Sequence, residues 1–276
     1  MSSRSSGQAQ GHGKTKPARL RLKSRLGKYR IEARLMEGTY SNVYRAFDTI
    51  EGHRVALKIP HPHLADEAFL DGFRKEARLG SRIHHPHILS LKDASIIDEH
   101  FVMAYPLGTE SLSDRLSRRI SSASLEVIIE HCLEGLAELH QHRIIHCDIK
   151  PENFIIFPGP TVKLADFGIA RLAARTIKAS GSGTLGYMAP EQAMGKPSFR
   201  SDVFAMGLLL YKMLTGHVPE YPFKWPPPEH ARLRRKAHPA FIALIRKALE
   251  PEPRRRFADG LALHRAYMNL PTAALL

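Results

Sequence analysis

The chain has 276 residues, 43% of them hydrophobic and 25% charged, with a formal net charge of +14 and only two cysteines. This balance is that of an ordinary soluble globular protein, long enough for one large or two small domains. Its longest apolar run, Val203 to Tyr211, falls far short of the roughly 20 residues a membrane-spanning helix needs. No apolar leader follows Met1, and Cys132 and Cys147 make no disulfide framework, so the expectation is a cytoplasmic protein.

The charge is uneven. Residues 1–30 hold nine Lys or Arg and no acid, leaving 32 basic against 27 acidic residues in the remainder. Ser, Gly, Gln and Arg dominate residues 1–27, which cannot bury enough surface to offset their ordering entropy and are expected to be a disordered basic arm. Such an arm can contact an acidic partner, but a solubilising tail is the plainer reading, and no nucleic-acid-reading motif accompanies it.

From Tyr29 the pattern becomes strand-like. Tyr29–Leu35 and Asn42–Phe47 alternate around a turn at Glu37–Ser41, which predicts a hairpin, and Arg54–Ile59 is a third strand stopped by Pro60. Ala65–Ile83 has helical spacing, with Phe69, Phe73, Ala77 and Leu79 near one face. Ile88–Leu91 is followed by Ser95–Ile97 and His100–Tyr105, and this stretch is expected to supply two more strands before the break at Pro106–Gly108. Beyond Gly108 the chain reads as mostly helical: Ser111–Arg119, Ser124–Gln141, Ser201–Thr215, Pro239–Leu249 and Asp259–Met268. Trp225–Lys236 reads as irregular and exposed.

Ile144–Glu191 carries the chemistry. It sets Asp148, Lys150 and Asn153 close together, and Asp166 follows in Asp-Phe-Gly. Carboxylate and amide oxygens of this kind suit Mg²⁺ carrying a nucleotide's phosphates, because Mg²⁺ takes one or two carboxylates and fills its shell with phosphate and water. Isolated Asp and Asn residues in loops are more often turn formers or caps.

Several of these stretches resemble one family in order and spacing. Val55-Ala-Leu-Lys58, Ile144-Ile-His-Cys-Asp-Ile-Lys-Pro-Glu-Asn153, Asp166-Phe-Gly168 and Ala189-Pro-Glu191 are similar to the motifs of the Hanks-type, eukaryotic-type Ser/Thr protein kinases, a family with bacterial members. The resemblance covers residues 28–270. It implies an α+β, two-lobed protein-kinase-like fold: a small β-rich lobe with one main helix over 28–104, a larger helical lobe over 105–270, and a short tail at 271–276. It also implies transfer of the γ-phosphoryl group of Mg-ATP to Ser or Thr of proteins, with autophosphorylation.

Site residues follow from the resemblance one by one. Lys58 would hold the α- and β-phosphates, steadied by Glu76, which fits the spacing to Pro86 better than Glu67 does. As a surface strand lysine it would be oddly placed, since Val55, Ala56, Leu57 and Ile59 around it are apolar. Asp148 would orient the acceptor hydroxyl and take its proton, Lys150 would stabilise the transferring group, and Asn153 and Asp166 would hold Mg²⁺. Met103–Tyr105 would form the hinge, with backbone groups of Ala104 and Tyr105 on adenine, and Val43, Ala56 and Ile155 would sandwich the ring. Core residues of this kind need no ligand to explain them. Thr184 would bond Asp148 and Lys150, Glu191 would pair with Arg256, and Asp202 would anchor the loop around Asp148.

Three departures stand out. Of the family's Gly-x-Gly-x-x-Gly loop only Gly38 remains, between Met36 and Ser41, where its amide is expected to approach a phosphate. Cys147 replaces the arginine that would receive a phosphate on the activation segment, so modification of Thr176, Ser180 or Ser182 is expected to be dispensable. Gly80 replaces a bulky apolar residue one turn after Glu76, which predicts a loosely held helix. The damaged glycine loop motivates the rival reading, a nucleotide-binding pseudokinase or scaffold; the presence of Lys58, Asp148, Lys150, Asn153 and Asp166 argues against it.

Overall fold

Residues 20–62, 67–159, 161–167 and 185–271 are described by the structure, a computed structural model. Alternation in the first hundred residues becomes a six-stranded antiparallel sheet: β1 Arg25–Leu26, β2 Tyr29–Glu37, β3 Ser41–Asp48, β4 His53–Pro60, β5 Asp93–Ile97 and β6 His100–Pro106, ordered β1-β2-β3-β4-β6-β5. One face buries Leu26, Tyr29, Ile31, Tyr44, Ala46, Val55, Leu57, Ile59, Val102 and Ala104 as a core of its own. The other face receives helix α1, Glu67–Gly80, through Phe69, Phe73 and Ala77, which pack on Met103.

β1 was not expected. Composition predicts a disordered arm to residue 27, yet Leu26 is fully buried beside Tyr29, and Leu20 packs on the same core. Two leucines among basic residues bury enough surface to hold the edge strand. Ile88–Leu91 is not a strand: Ile88 only bridges Leu164, with Leu89 N–H donating to Leu164 O at 2.9 Å. This segment leaves the first sheet and fastens to the second lobe.

Gly80 does not leave a gap. A Cβ there would meet Leu91 Cβ at 3.3 Å, so the absent side chain lets Leu91 close onto the helix end. The helix also ends at Gly80, short of the expected Ile83, and Leu91 N–H donates to Gly80 O at 3.3 Å.

The second lobe is built around α3, Ser122–Gln141, and α5, Phe199–Thr215. α5 is buried on nearly all sides, which is why its sequence runs apolar without a polar stripe. α2 (Leu112–Leu116), α4 (Pro190–Ala193), α6 (His230–Arg234), α7 (Pro239–Ala248) and α8 (Gly260–Met268) surround them. Ser111 caps α2 reciprocally with Asp114, and Asp259 caps α8 through Ala262 N–H. A small sheet missed by the periodicity, β7 Glu110–Ser111, β8 Phe154–Ile156 and β9 Val162–Leu164, lies in the order β7-β8-β9. Trp225–Lys236 is not wholly irregular and exposed: it contains α6, Leu233 is fully buried, and Tyr211 Oη donates to Pro228 O at 2.6 Å. Among the described residues no helix is long and apolar enough to cross a membrane.

Candidate active site

Two groups of charged residues meet between the lobes. In the first, β4 carries Lys58 into the interior, with its side chain 4% exposed. Nζ donates to Glu76 Oε1 of α1 and to Asp166 Oδ1, each at 2.7 Å, and lies 5.6 Å from the Phe73 ring centroid. Burial by itself would lower the ammonium's pKa, but the Asp166 and Glu76 carboxylates outweigh it and raise it well above the ordinary value. Burial pushes the Glu76 carboxyl up against the opposing pull of Lys58. For Asp166 the balance falls the other way: burial acts to raise it, and the charge of Lys58, helped by His146 and Lys150, brings it below the usual range.

The second group sits on the loop after α3. Lys150 Nζ lies 2.8 Å from Asp148 Oδ2, and Asn153 Nδ2 donates to Asp148 O at 2.7 Å and to Oδ2 at 2.9 Å. Asp148 is half exposed, its side chain 51% accessible. The nitrogen end of the Asn153 amide is thus committed to Asp148.

Asp202 of α5 holds this loop. It accepts from His146 N–H at 2.6 Å and Cys147 N–H at 2.8 Å, and His140 Nε2 lies 3.0 Å away. Gly260 N–H donates to His140 Nδ1 at 2.7 Å, which makes Nε2 the protonated nitrogen facing Asp202. Cys147 adopts φ 62°, a left-handed conformation costly for a side-chain-bearing residue, and Gln192 Nε2 donates to its carbonyl at 2.6 Å. His146 Nδ1 accepts from Asp148 N–H, so its Nε2 donates to Ala165 O at 2.9 Å and ties the loop to the residue before Asp166. Glu191 receives Arg256 bidentately, at 2.7 and 3.1 Å. His140 and Gln192 had no signal in the sequence beyond proximity to the motifs, and His146, though inside one, had no role assigned to it.

Residues expected around the base come from β3, β4, β6 and β8. Val43 pairs with Lys58 and Ala56 with Tyr105 across the sheet. Val43, Ala56 and Ile155 are half-buried. Met103 and Ala104 are buried, and Ala104 O already accepts from Lys92 N–H at 2.9 Å. Gly38 departs from expectation. Its N–H donates to Ser41 O at 2.9 Å, and a Cβ would come within 2.9 Å of that oxygen. The glycine serves the tight turn between β2 and β3, and its amide is not left for a phosphate. Gly168, Thr176, Ser180, Ser182 and Thr184 lie outside the described residues, as do 1–19 of the basic arm.

The donor set fits a phosphate-borne divalent ion. Lys58 takes one oxygen of Asp166, and with Asn153 that leaves one carboxylate and one amide for a cation whose other ligands come from phosphate.

Residues 29–268 match the family model described as protein kinase domain. The chain belongs to the protein kinase family. It is similar to the serine/threonine-protein kinase PknL of Mycobacterium tuberculosis, 36% identical over 200 residues that cover 70% of this chain and 50% of that protein. It is 33% identical over 279 residues to the serine/threonine-protein kinase drp72 of Corynebacterium efficiens, covering 90% of this chain and 52% of that one. Against PrkC of Bacillus subtilis the figures are 36% over 202 residues, 70% and 31%. The chain therefore spans about half, or less, of the length of these curated relatives. Among solved structures, the kinase domain of Mycobacterium tuberculosis PknI superposes with a TM-score of 0.70 at 23% identity, covering 90% of this chain and 98% of that one. The apo form of PpkA-294 gives 0.73 at 21%, covering 90% and 99%. Both carry the two-lobed kinase fold.

Proposed function

We propose that this chain is an ATP-dependent kinase that phosphorylates Ser and Thr of proteins, its own chain included. The reading rests chiefly on one observation: Lys58 is held between Glu76 and Asp166, while Asp148 and Lys150, with the buried Asn153 donating to Asp148, form a second cluster on a loop that His146 ties to Ala165, the residue before Asp166. The names of the curated relatives support the Ser/Thr choice, as does Lys150 two residues after Asp148.

In this reading Lys58, oriented by Glu76, binds the α- and β-phosphates. Asp148 orients the acceptor hydroxyl and takes its proton as the oxygen bonds to the γ-phosphorus and the β–γ bridging bond breaks, releasing ADP. Lys150, 2.8 Å from Asp148, neutralises charge on the moving group. Asn153 and Asp166 would hold Mg²⁺, which neutralises phosphate charge. Tyr105, Met103 and Ala104 wall the base site, with Val43, Ala56 and Ile155 above and below the ring. A cytoplasmic setting suits both the ATP requirement and the two thiols.

The test is incubation of the purified chain with Mg²⁺ and γ-labelled ATP beside Asp148→Asn. Label on Ser or Thr of the wild type alone is expected. Nucleotide binding without label in the wild type would overturn the reading in favour of a pseudokinase.

A further inference from the structure

Sequence reasoning gives Tyr105 a backbone role alone, yet its side chain reaches the buried ion pair. On β6, Tyr105 lies opposite Ala56 and Met103 opposite Lys58. Residues two apart on a strand share a face, so Tyr105 and Met103 project to the same side as Lys58. That side carries α1, and the Tyr105 ring packs on the cluster of Phe69, Phe73, Ala77 and Met103. Its hydroxyl lies 3.4 Å from Glu76 Oε1 and 3.6 Å from Met103 Sδ.

The hydroxyl can meet Glu76 only as a donor. Burial, with the facing Glu76 and Asp166 carboxylates, holds the phenol well above its ordinary value, so it keeps its proton. Glu76 Oε1 thus takes Lys58 on one side and Tyr105 on the other, while Oε2 is buried with no hydrogen-bond partner among the described residues. The carboxylate is oriented through one oxygen by two donors from two strands. Phenylalanine would fill the same space without the cost of burying a hydroxyl, so packing does not explain the oxygen.

We propose that Tyr105 is a positioning residue whose hydroxyl holds Glu76 against Lys58 from the strand that walls the base site. One side chain then links the place where the base sits to the lysine that receives the phosphates. The proposal rests on the kinase reading above.

The test uses the full chain, with single-turnover incorporation of label from γ-labelled Mg-ATP as the readout, in Tyr105→Phe, Glu76→Gln and the double variant. Tyr105→Phe retains the ring, so the half-saturating ATP concentration is expected to move by less than about twofold, while the maximal rate falls about three- to tenfold. In the Glu76→Gln background the same substitution is expected to add no further loss, since the hydroxyl acts through that carboxylate. A purely structural tyrosine would lower the melting temperature and leave this split unmoved. An unchanged maximal rate in Tyr105→Phe beside an impaired Glu76→Gln overturns the proposal alone, as does a full multiplicative loss in the double variant. An unchanged Glu76→Gln overturns the site reading and the proposal with it.

Discussion

The two charged clusters use the same kinds of group and differ in one respect. Lys58 and Glu76 have side chains only 4% and 3% exposed and Asp166 joins them at 29%, whereas Lys150 and Asp148 are 20% and 51% exposed. In the buried cluster each charge is balanced by its neighbours in a medium that penalises any unpaired charge, so its members are mutually dependent. Water screens Asp148 and Lys150, so either one left by the other is rehydrated at little cost, while their neighbour Asn153 is buried. Function and stability are therefore coupled around Lys58 and separable around Asp148.

The largest expected effect breaks the open side. Asp148→Asn should cut phosphoryl transfer by about 10²- to 10⁴-fold with an unchanged denaturation midpoint; a matching loss of stability would contradict the contrast. Lys58→Met should cut transfer by about 10²-fold and also destabilise the chain by about 3 kcal/mol in urea titration, because Glu76 and Asp166 lose their shared cation. A third variant takes burial away from the chemistry altogether. Arg256→Ala takes the cation from Glu191, which keeps the Ser201 hydroxyl at 2.8 Å, and frees the carbonyls of Arg200, Glu250 and Pro251, and about 3 kcal/mol of stability should go with it. The smallest effect concerns control. Cys147 is held by Asp202 and Gln192 and offers no cation to receive a phosphate, so alanine at Thr176, Ser180 and Ser182 together should change the transfer rate by less than about twofold; a collapse of the rate would show that the loop needs a modified segment after all.

The local motifs were legible because they are contiguous. Val55–Lys58, His146–Asn153, Asp166–Phe167 and Ala189–Glu191 each place their chemistry within a few residues, and the period-2 and period-3.6 patterns around them fix the strand or helix they ride on. From these the family, the two-lobed α+β fold and the identities of the charged groups follow. Contacts between distant segments were not readable in the same way. Gly38 reads as a phosphate loop until Ser41 O is seen to take its amide, and Gly80 reads as a loss until Leu91 closes on it. Leu26, inside a basic and Ser-rich run, gains its strand only from Tyr29 across the turn.

The sequence by itself determined which residues carry charge and oxygen to this site, because those identities are local and sit in fixed order. Tertiary structure alone decided which of them are buried and therefore interdependent. Lys58 and Asp166 are 108 residues apart and meet at 2.7 Å only when the lobes come together, and no local pattern encodes the desolvation that then makes each charge need the other. The Tyr105 hydroxyl belongs to the same category: its reach to Glu76 depends on how β6 lies against α1.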